Sequence, residues 1–342
     1  MGDRTIVALG CSPDADYSFL LPLTALLWRR IGFEPLAIIV GRNRGADGLK
    51  NGGALEWAID KQAKLALDAL RLHRIPTYSV AAVDGYPYAT TAQVVRQHVA
   101  ALMEIADFDR APQVSLTIRE DDWIIPGDSD LWPLWKKYYR YHENSSHRCV
   151  SYYWNGDNFV GKTAFLKAIN EGRRSQTLPT CHIAMRAQQW REIYGLAVGE
   201  NLADAVERTL TQWYERYPRD GFNTWMSDQD IMTARVCQQP WFPTGRPPDD
   251  GLAHESGEVL FVGRKGQPPL DRLDRSHLSD WNFDNENWLD ASHTGRWKDA
   301  HVFRASHTDE NWQKLRPIVA ALLPDHVQWV DEYQRAFLEA GK

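Results

Sequence analysis

The strongest constraint on this chain is its rhythm. Over the first 130 residues, short apolar runs of strand type alternate with segments long enough for helices. Thr5–Gly10 and Leu36–Val40 are continuous apolar runs, and Tyr17–Arg30 is a helix-length apolar segment between them. Ala54–His73 carries Leu55, Ile59, Leu65, Ala69 and Leu72 at near-helical spacing, and Tyr78–Val83 follows as a third strand. Thr91–Ile105, with Val94, Val95, Val99 and Leu102 on one side, reads as a helix, and Trp123–Pro126 as a fourth strand. Unbroken apolar strands are buried on both faces, which requires helices above and below a mostly parallel sheet. The expected class is α/β. In open sheets of this kind, ligands bind beyond the carboxyl ends of the strands.

The later chain is less regular. Cys149–Trp154 and His182–Met185 read as strands. Asn201–Tyr217 is the clearest helix, with Leu202, Val206, Leu210, Trp213 and Tyr217 a turn apart and Asn201 as its N-cap. Met232–Val236 sits in another helix. Gln238–Gly257 holds four prolines and three glycines and reads as a long surface loop. Asn311–Leu323 and Val327–Leu338 predict two amphipathic helices, so 306–342 forms a helical C-terminal tail.

Composition excludes several classes. Lys plus Arg total 39 against 45 Asp plus Glu, a net charge of −6. No field attracts phosphate polymers, so nucleic acid is not an expected partner. With 43% apolar and 25% charged residues, the chain is neither disordered nor fibrous. No apolar run approaches the ~20 residues that span a bilayer, and the N-terminus runs straight into an apolar strand. Cys11, Cys149, Cys181 and Cys237 show no metal-type spacing and read as buried thiols of a reducing compartment. These points predict a soluble, cytoplasmic protein. Fifteen Trp and 13 Tyr fit an aromatic-rich core or a site for flat rings, which suit the apolar faces of sugars and bases.

Three stretches carry the chemistry. In Trp123-Ile124-Ile125-Pro126-Gly127-Asp128-Ser129-Asp130-Leu131-Trp132-Pro133-Leu134, a buried strand ends in two carboxylates one residue apart. That supplies hard oxygen donors at the sheet rim, matching Mg²⁺ or Mn²⁺, which take one or two carboxylates plus phosphate oxygens. A loop with two solvated acids is the plain alternative. Trp225-Met226-Ser227-Asp228-Gln229-Asp230-Ile231 opens a helix; Ser227 can cap it, and Asp228 and Asp230 suit its first turn or act as a base. In Gly295-Arg296-Trp297-Lys298-Asp299-Ala300-His301-Val302-Phe303-Arg304, His301 is a candidate metal ligand, with His293 a weaker rival. Lys298 and Arg304 are candidate phosphate holders. Trp154, Trp225 and Trp297 are candidates for sugar stacking.

A different chemistry is written in Gly156-Asp157-Asn158-Phe159-Val160-Gly161-Lys162-Thr163, which matches the P-loop pattern after a predicted strand. Lys162 would hold terminal phosphates and Thr163 a Mg²⁺ ion. Against it, no later apolar strand ends in the required Asp, and roughly 150 residues of alternation precede it. G-x-G-x-x-G and G-x-S-x-G are absent.

Taken together, the chain resembles a nucleotide-sugar-dependent glycosyltransferase of the GT-A fold. The resemblance rests on Asp128-Ser129-Asp130 with Leu131-Trp132-Pro133-Leu134, on Gln93 and Arg96 in the preceding helix, on Ser227-Asp228-Gln229-Asp230-Ile231, and on Asp299-Ala300-His301-Val302-Phe303-Arg304. It implies a Rossmann-like mixed sheet flanked by helices over residues 1–305, with 1–130 as nucleotide-binding half and 131–305 as acceptor half. It implies that Asp128, Asp130 and His301 bind a divalent metal, usually Mn²⁺, on the diphosphate of a sugar-nucleotide donor. Ser12, Asp14 and Tyr17 then help hold base and ribose, and Arg96, Ser129, Lys298 and Arg304 the rest of the donor. Asp228 or Asp230 is then the catalytic carboxylate, which takes the proton of a glycan or other hydroxyl acceptor if the reaction inverts. The His-x-x-Gly-x-x-Lys-Pro-Trp tail of retaining members is absent, which leaves the stereochemistry open. The rivals are a P-loop phosphotransferase and a non-catalytic sugar-binding protein.

Overall fold

A computed structural model describes residues 4–41, 53–102, 104–105, 116–143, 145–152, 178–217, 227–242, 254–262, 272–273 and 297–342. The strands are β1 Thr5–Cys11, β2 Glu34–Gly41, β3 Thr77–Ala81, β4 Glu104–Ile105, β5 Leu116–Thr117, β6 Trp123–Gly127 and β7 Leu131–Pro133. They continue with β8 Cys149–Ser151, β9 Ile183–Arg186, β10 His254–Ser256, β11 Val259–Phe261, β12 Arg272–Leu273 and β13 Asp299–His301. The helices are α1 Ala15–Ser18, α2 Leu20–Arg30, α3 Gly53–Ile59, α4 Lys61–Leu72 and α5 Tyr88–Val95. After them come α6 Ala187–Tyr194, α7 Leu202–Arg216, α8 Ser227–Cys237, α9 Asp309–Leu322 and α10 Val327–Ala340.

Eight strands form one mixed sheet in the order β3-β2-β1-β6-β9-β8-β11-β10. The β3-β2-β1-β6 half is parallel, while β9 runs antiparallel to both β6 and β8. The expected α/β class, with helices on both faces and a helical C-terminal region, is the observed architecture. Alternation along β1 divides the core. Ile6 and Ala8 point to the face covered by α5 to α8, while Val7, Leu9 and Cys11 point to the face covered by α2 and α4. A third cluster joins the outer side of α2 to β7, β13 and the two C-terminal helices. That is why α2 is buried almost all round, a pattern its sequence shows as an apolar run rather than a stripe.

Several expected boundaries shift, each for a local reason. The single helix expected over Ala54–His73 breaks at Asp60, whose carboxylate accepts from Ala63 N at 2.8 Å and caps α4. The helix expected over Thr91–Ile105 stops at Val95. Buried His98 bonds back to the Val94 carbonyl at 3.0 Å and across to Thr209 Oγ1 at 2.8 Å, and a 3₁₀ turn replaces the ladder. Part of the expected Gln238–Gly257 loop is strand: His254–Ser256 pairs with Val259–Phe261, Gly257 turning the hairpin at φ 60°. Asn201 caps α7 as expected, accepting from Ala203 N and Asp204 N. The P-loop-like segment 156–163, with Trp154, Trp225 and His293, lies outside the described residues. Cys11, Cys149 and Cys181 are buried and Cys237 is half-buried, all as free thiols. Among the described residues, no helix is long and apolar enough to cross a membrane.

One contact aims the helix that matters most. A Cβ on Gly10 would stand 1.9 Å from the Ala92 carbonyl oxygen, so α5 lies directly on the β1 backbone. Only glycine permits that approach. It brings Gln93 and Arg96 to the carboxyl end of the sheet.

Candidate functional site

The order of the sheet reverses between β1 and β6: β2 and β3 follow on one side of β1, and β6 flanks the other. Ligand sites of open α/β sheets lie at such a point. A cavity of about 280 Å³ opens there. Gly10, Cys11, Ser12 and Tyr17 border it from the end of β1, and Gln93 and Arg96 from α5. Asp128, Ser129 and Asp130 enter from the end of β6, Asp228 and Gln229 from the first turn of α8, and His301 from β13. A wider recess of about 800 Å³ adjoins it, sharing Ser12 and Ala89 and walled by Asp14, Glu56, Asp84, Tyr86 and Tyr88.

Asp128, Asp130 and His301 converge although they come from different sheets. One ligand atom from each lies within 4.8 Å of the other two, and His301 Nε2 is 3.3 Å from Asp130 Oδ2. The small sheet β12-β13-β7 makes this meeting. His301 sits opposite Leu131, the residue after Asp130, and Val302 N donates to the Asp130 carbonyl at 2.8 Å. Two carboxylates and an imidazole, with room beside them, form a donor set that suits Mn²⁺ or Mg²⁺.

Arg96 is the electrostatic centre of the cavity. Its side chain is buried, and its guanidinium pairs with Asp128 Oδ1 on one side and Asp228 Oδ2 on the other, while also donating to the Gly127 carbonyl at 2.9 Å. Burial works against ionising Asp128, but the Arg96 and His301 charges outweigh it and hold its pKa well below the ordinary range. For Asp228 the balance is reversed: burial, aided by Asp128, raises its pKa despite Arg96. Among the described residues Asp230 has no such partner, and burial plus the Asp228 charge push its pKa up to about 7.

The structure therefore brings together Ser12, Tyr17, Arg96, Asp128, Ser129, Asp130, Asp228 and His301. Asp14 caps α1 and borders the adjoining recess. Arg304 is exposed and does not itself line the cavity; it lies against Tyr17, which does, with Asp16 and Asp14 near it. Two more expected residues lie outside the cavity lining. Asp230 does not line the cavity, and Lys298 holds its ammonium 4.0 Å from the Trp135 ring centroid. Sequence reasoning missed Thr180, Cys181 and Gln229. Thr180 and Cys181 reach the cavity on a 3₁₀ turn before β9, a short element that no periodicity announces. Gln229 lies inside a quoted motif between two acids that drew the attention.

No protein-family profile and no curated protein matches this chain. Among solved structures, it is similar to the galactosyltransferase LgtC in complex with donor and acceptor sugar analogs. That match has 10% identity and a TM-score of 0.43, over 93% of this chain and 95% of that one. The bifunctional glycosyltransferase WbbM in its apo structure matches at 10% identity and TM-score 0.42, over 98% of this chain and 52% of that one. The apo-form glycosyltransferase GlyE of Streptococcus pneumoniae TIGR4 matches at 10% identity and TM-score 0.38, over 96% and 64%.

Proposed function

We propose that this protein is a metal-dependent glycosyltransferase that moves a sugar from a nucleoside diphosphate to a hydroxyl acceptor. The observation that carries the reading is the convergence of Asp128, Asp130 and His301 at the carboxyl edge of β6, beside a cavity sized for one small ring system. These three residues would hold Mn²⁺ or Mg²⁺. When bound, such an ion neutralises charge that develops on a departing diphosphate.

The chain's own groups take the remaining tasks. Arg304, beside the cavity-lining Tyr17, is assigned as a second positive charge for the diphosphate; Lys298, held over Trp135, is not. Ser12, Asp14 and the adjoining recess with Tyr86 and Tyr88 offer rings and hydrogen-bond acceptors to a base and ribose. Inside the cavity, Arg96 fixes the Asp128 and Asp228 carboxylates. Asp228 thus presents a fixed acceptor to sugar or acceptor hydroxyls, and is assigned the role that sequence left shared with Asp230. In this reading residues 1–130 serve the nucleotide, 131–305 the acceptor, and 306–342 buttress both.

The test is thermal stabilisation by UDP- and GDP-sugars with and without Mn²⁺, followed by an assay for nucleoside diphosphate release. Stabilisation that requires Mn²⁺ and is lost in Asp130→Ala is the expected result. Metal-independent glycan binding without release would assign a sugar-binding protein instead. Nucleotide binding lost in Lys162→Ala but unaffected by Asp130→Ala would assign a P-loop enzyme.

A further inference from the structure

Asp16 is an acid placed where the proposed function has no use for an acid. It lies on α1, one residue before the cavity-lining Tyr17, and its Oδ1 accepts the backbone N–H of Ala305 at 2.7 Å. Ala305 is one of only two described non-glycine residues with positive φ, at 54°. A side chain with a Cβ resists that region, so neighbours must enforce it. They do: the Ala305 carbonyl accepts from Thr308 N at 3.1 Å, Thr308 Oγ1 at 2.9 Å and Asn311 Nδ2 at 3.0 Å. The Asp16 carboxylate holds the other side of the same peptide turn. Asp16 is itself fixed from below, its N–H donating to Asp14 Oδ1 at 2.9 Å.

The turn sets the direction of the preceding residue, Arg304, whose guanidinium lies against Tyr17. His301, three residues earlier, does not depend on it, because β13 is already paired to β7 and Val302 N bonds the Asp130 carbonyl. The strap from 301 to 305 thus has two independent anchors. The ladder sets the metal-ligand end, and the Asp16–Ala305 clasp sets the arginine end.

We infer that Asp16 is the positioning residue for Arg304, clamping the Ala305 turn so that the guanidinium meets the diphosphate of the donor. This rests on the transferase reading and adds a prediction of opposite sign to simple electrostatics. Removing a carboxylate near an anion site strengthens anion binding if charge is all that matters. If Asp16 works through the clasp, its removal weakens that binding.

The experiment uses the full chain with Mn²⁺ alone and with Mn²⁺ plus inorganic pyrophosphate, a probe independent of base and sugar. In Asp16→Ala, pyrophosphate affinity is expected to fall about tenfold, the effect of one charge-assisted hydrogen bond, while Mn²⁺ affinity stays unchanged. Arg304→Gln should show the same loss, and the double variant should show little more than either single one. Asp16→Asn keeps an acceptor for Ala305 N–H without the charge, and should retain or exceed the original affinity. Pyrophosphate bound as tightly or more tightly by Asp16→Ala, with the unmodified protein binding both probes, overturns the inference and leaves the transferase reading standing. An unmodified protein that binds neither probe overturns both.

Discussion

Asp128 and Asp228 share one guanidinium: Nη1 of Arg96 serves the first and Nη2 the second. The end of β6 and the start of α8 are thereby joined through a largely buried cation at the cavity wall. A buried pair broken from one side leaves an uncompensated charge, at a cost of about 3–5 kcal/mol. Arg96→Met should therefore lose stability on that scale in a denaturant titration. Arg96→Lys should recover only part of it, because an ammonium cannot fork between two carboxylates.

Asp230 gives a pH signature. Burial and the Asp228 charge raise its pKa to about 7 in the folded chain, against 3.8 ordinarily. A carboxyl with a raised folded pKa binds its proton more tightly when folded, so its favourable contribution is present at low pH. That contribution is lost as pH climbs from about 4 through about 7. Asp230→Asn should remove this slope, raising stability at pH 8 by about 4 kcal/mol and changing little at pH 4. Paired thermal melts at the two pH values measure it, and an unchanged slope would refute the assignment.

Metal binding should register as stability. A ligand at 100 times its Kd adds about 2.7 kcal/mol to a native state that alone binds it. Mn²⁺ should raise the Tm of the unmodified protein, and His301→Ala and Asp130→Asn should each erase most of that rise. A Tm in metal-free buffer close to the original would show that His301→Ala acts through binding rather than folding.

Gly10→Ala tests the seat of α5. The added methyl would overlap the Ala92 carbonyl, a backbone atom with no rotamer to give. A loss of about 1–3 kcal/mol is expected from overpacking, with weakened nucleotide binding because Arg96 moves with its helix. Stability and binding unchanged by this substitution would mean that α5 is not fixed there.

Thr180→Val should do the reverse of most core changes. The Thr180 hydroxyl is buried, and among the described residues it has no hydrogen-bond partner. Replacing an unsatisfied buried hydroxyl by a methyl of the same shape is neutral or stabilising. The Tm should stay level or rise by a few degrees.

Legibility in the sequence followed burial. β1, β2 and α7 stood out because continuous or periodic apolar runs report directly on what packs against them. The twin acids stood out because they end such a run. His301 was legible only in the company of its motif, since the β7–β13 pairing that delivers it joins distant segments through a three-residue ladder. Which of Asp228 and Asp230 meets Arg96 was not legible at all. Both suit a helix start, and only the packing of α8 against α5 decides which one meets Arg96. His98 misled in the same way, because a histidine that ends a helix by bonding its own backbone looks like any other helical residue.

The stacking of Tyr333 on Phe19, with its hydroxyl 3.2 Å from the Phe19 carbonyl, ties positions 314 apart in sequence. Phe19 closes α1, the short element that carries Asp16 and Tyr17. During synthesis Phe19 therefore gains its last aromatic contacts only when α10 has left the ribosome. A nascent chain paused before that moment leaves part of the apolar back of α2 open to solvent, the kind of transient surface that favours aggregation.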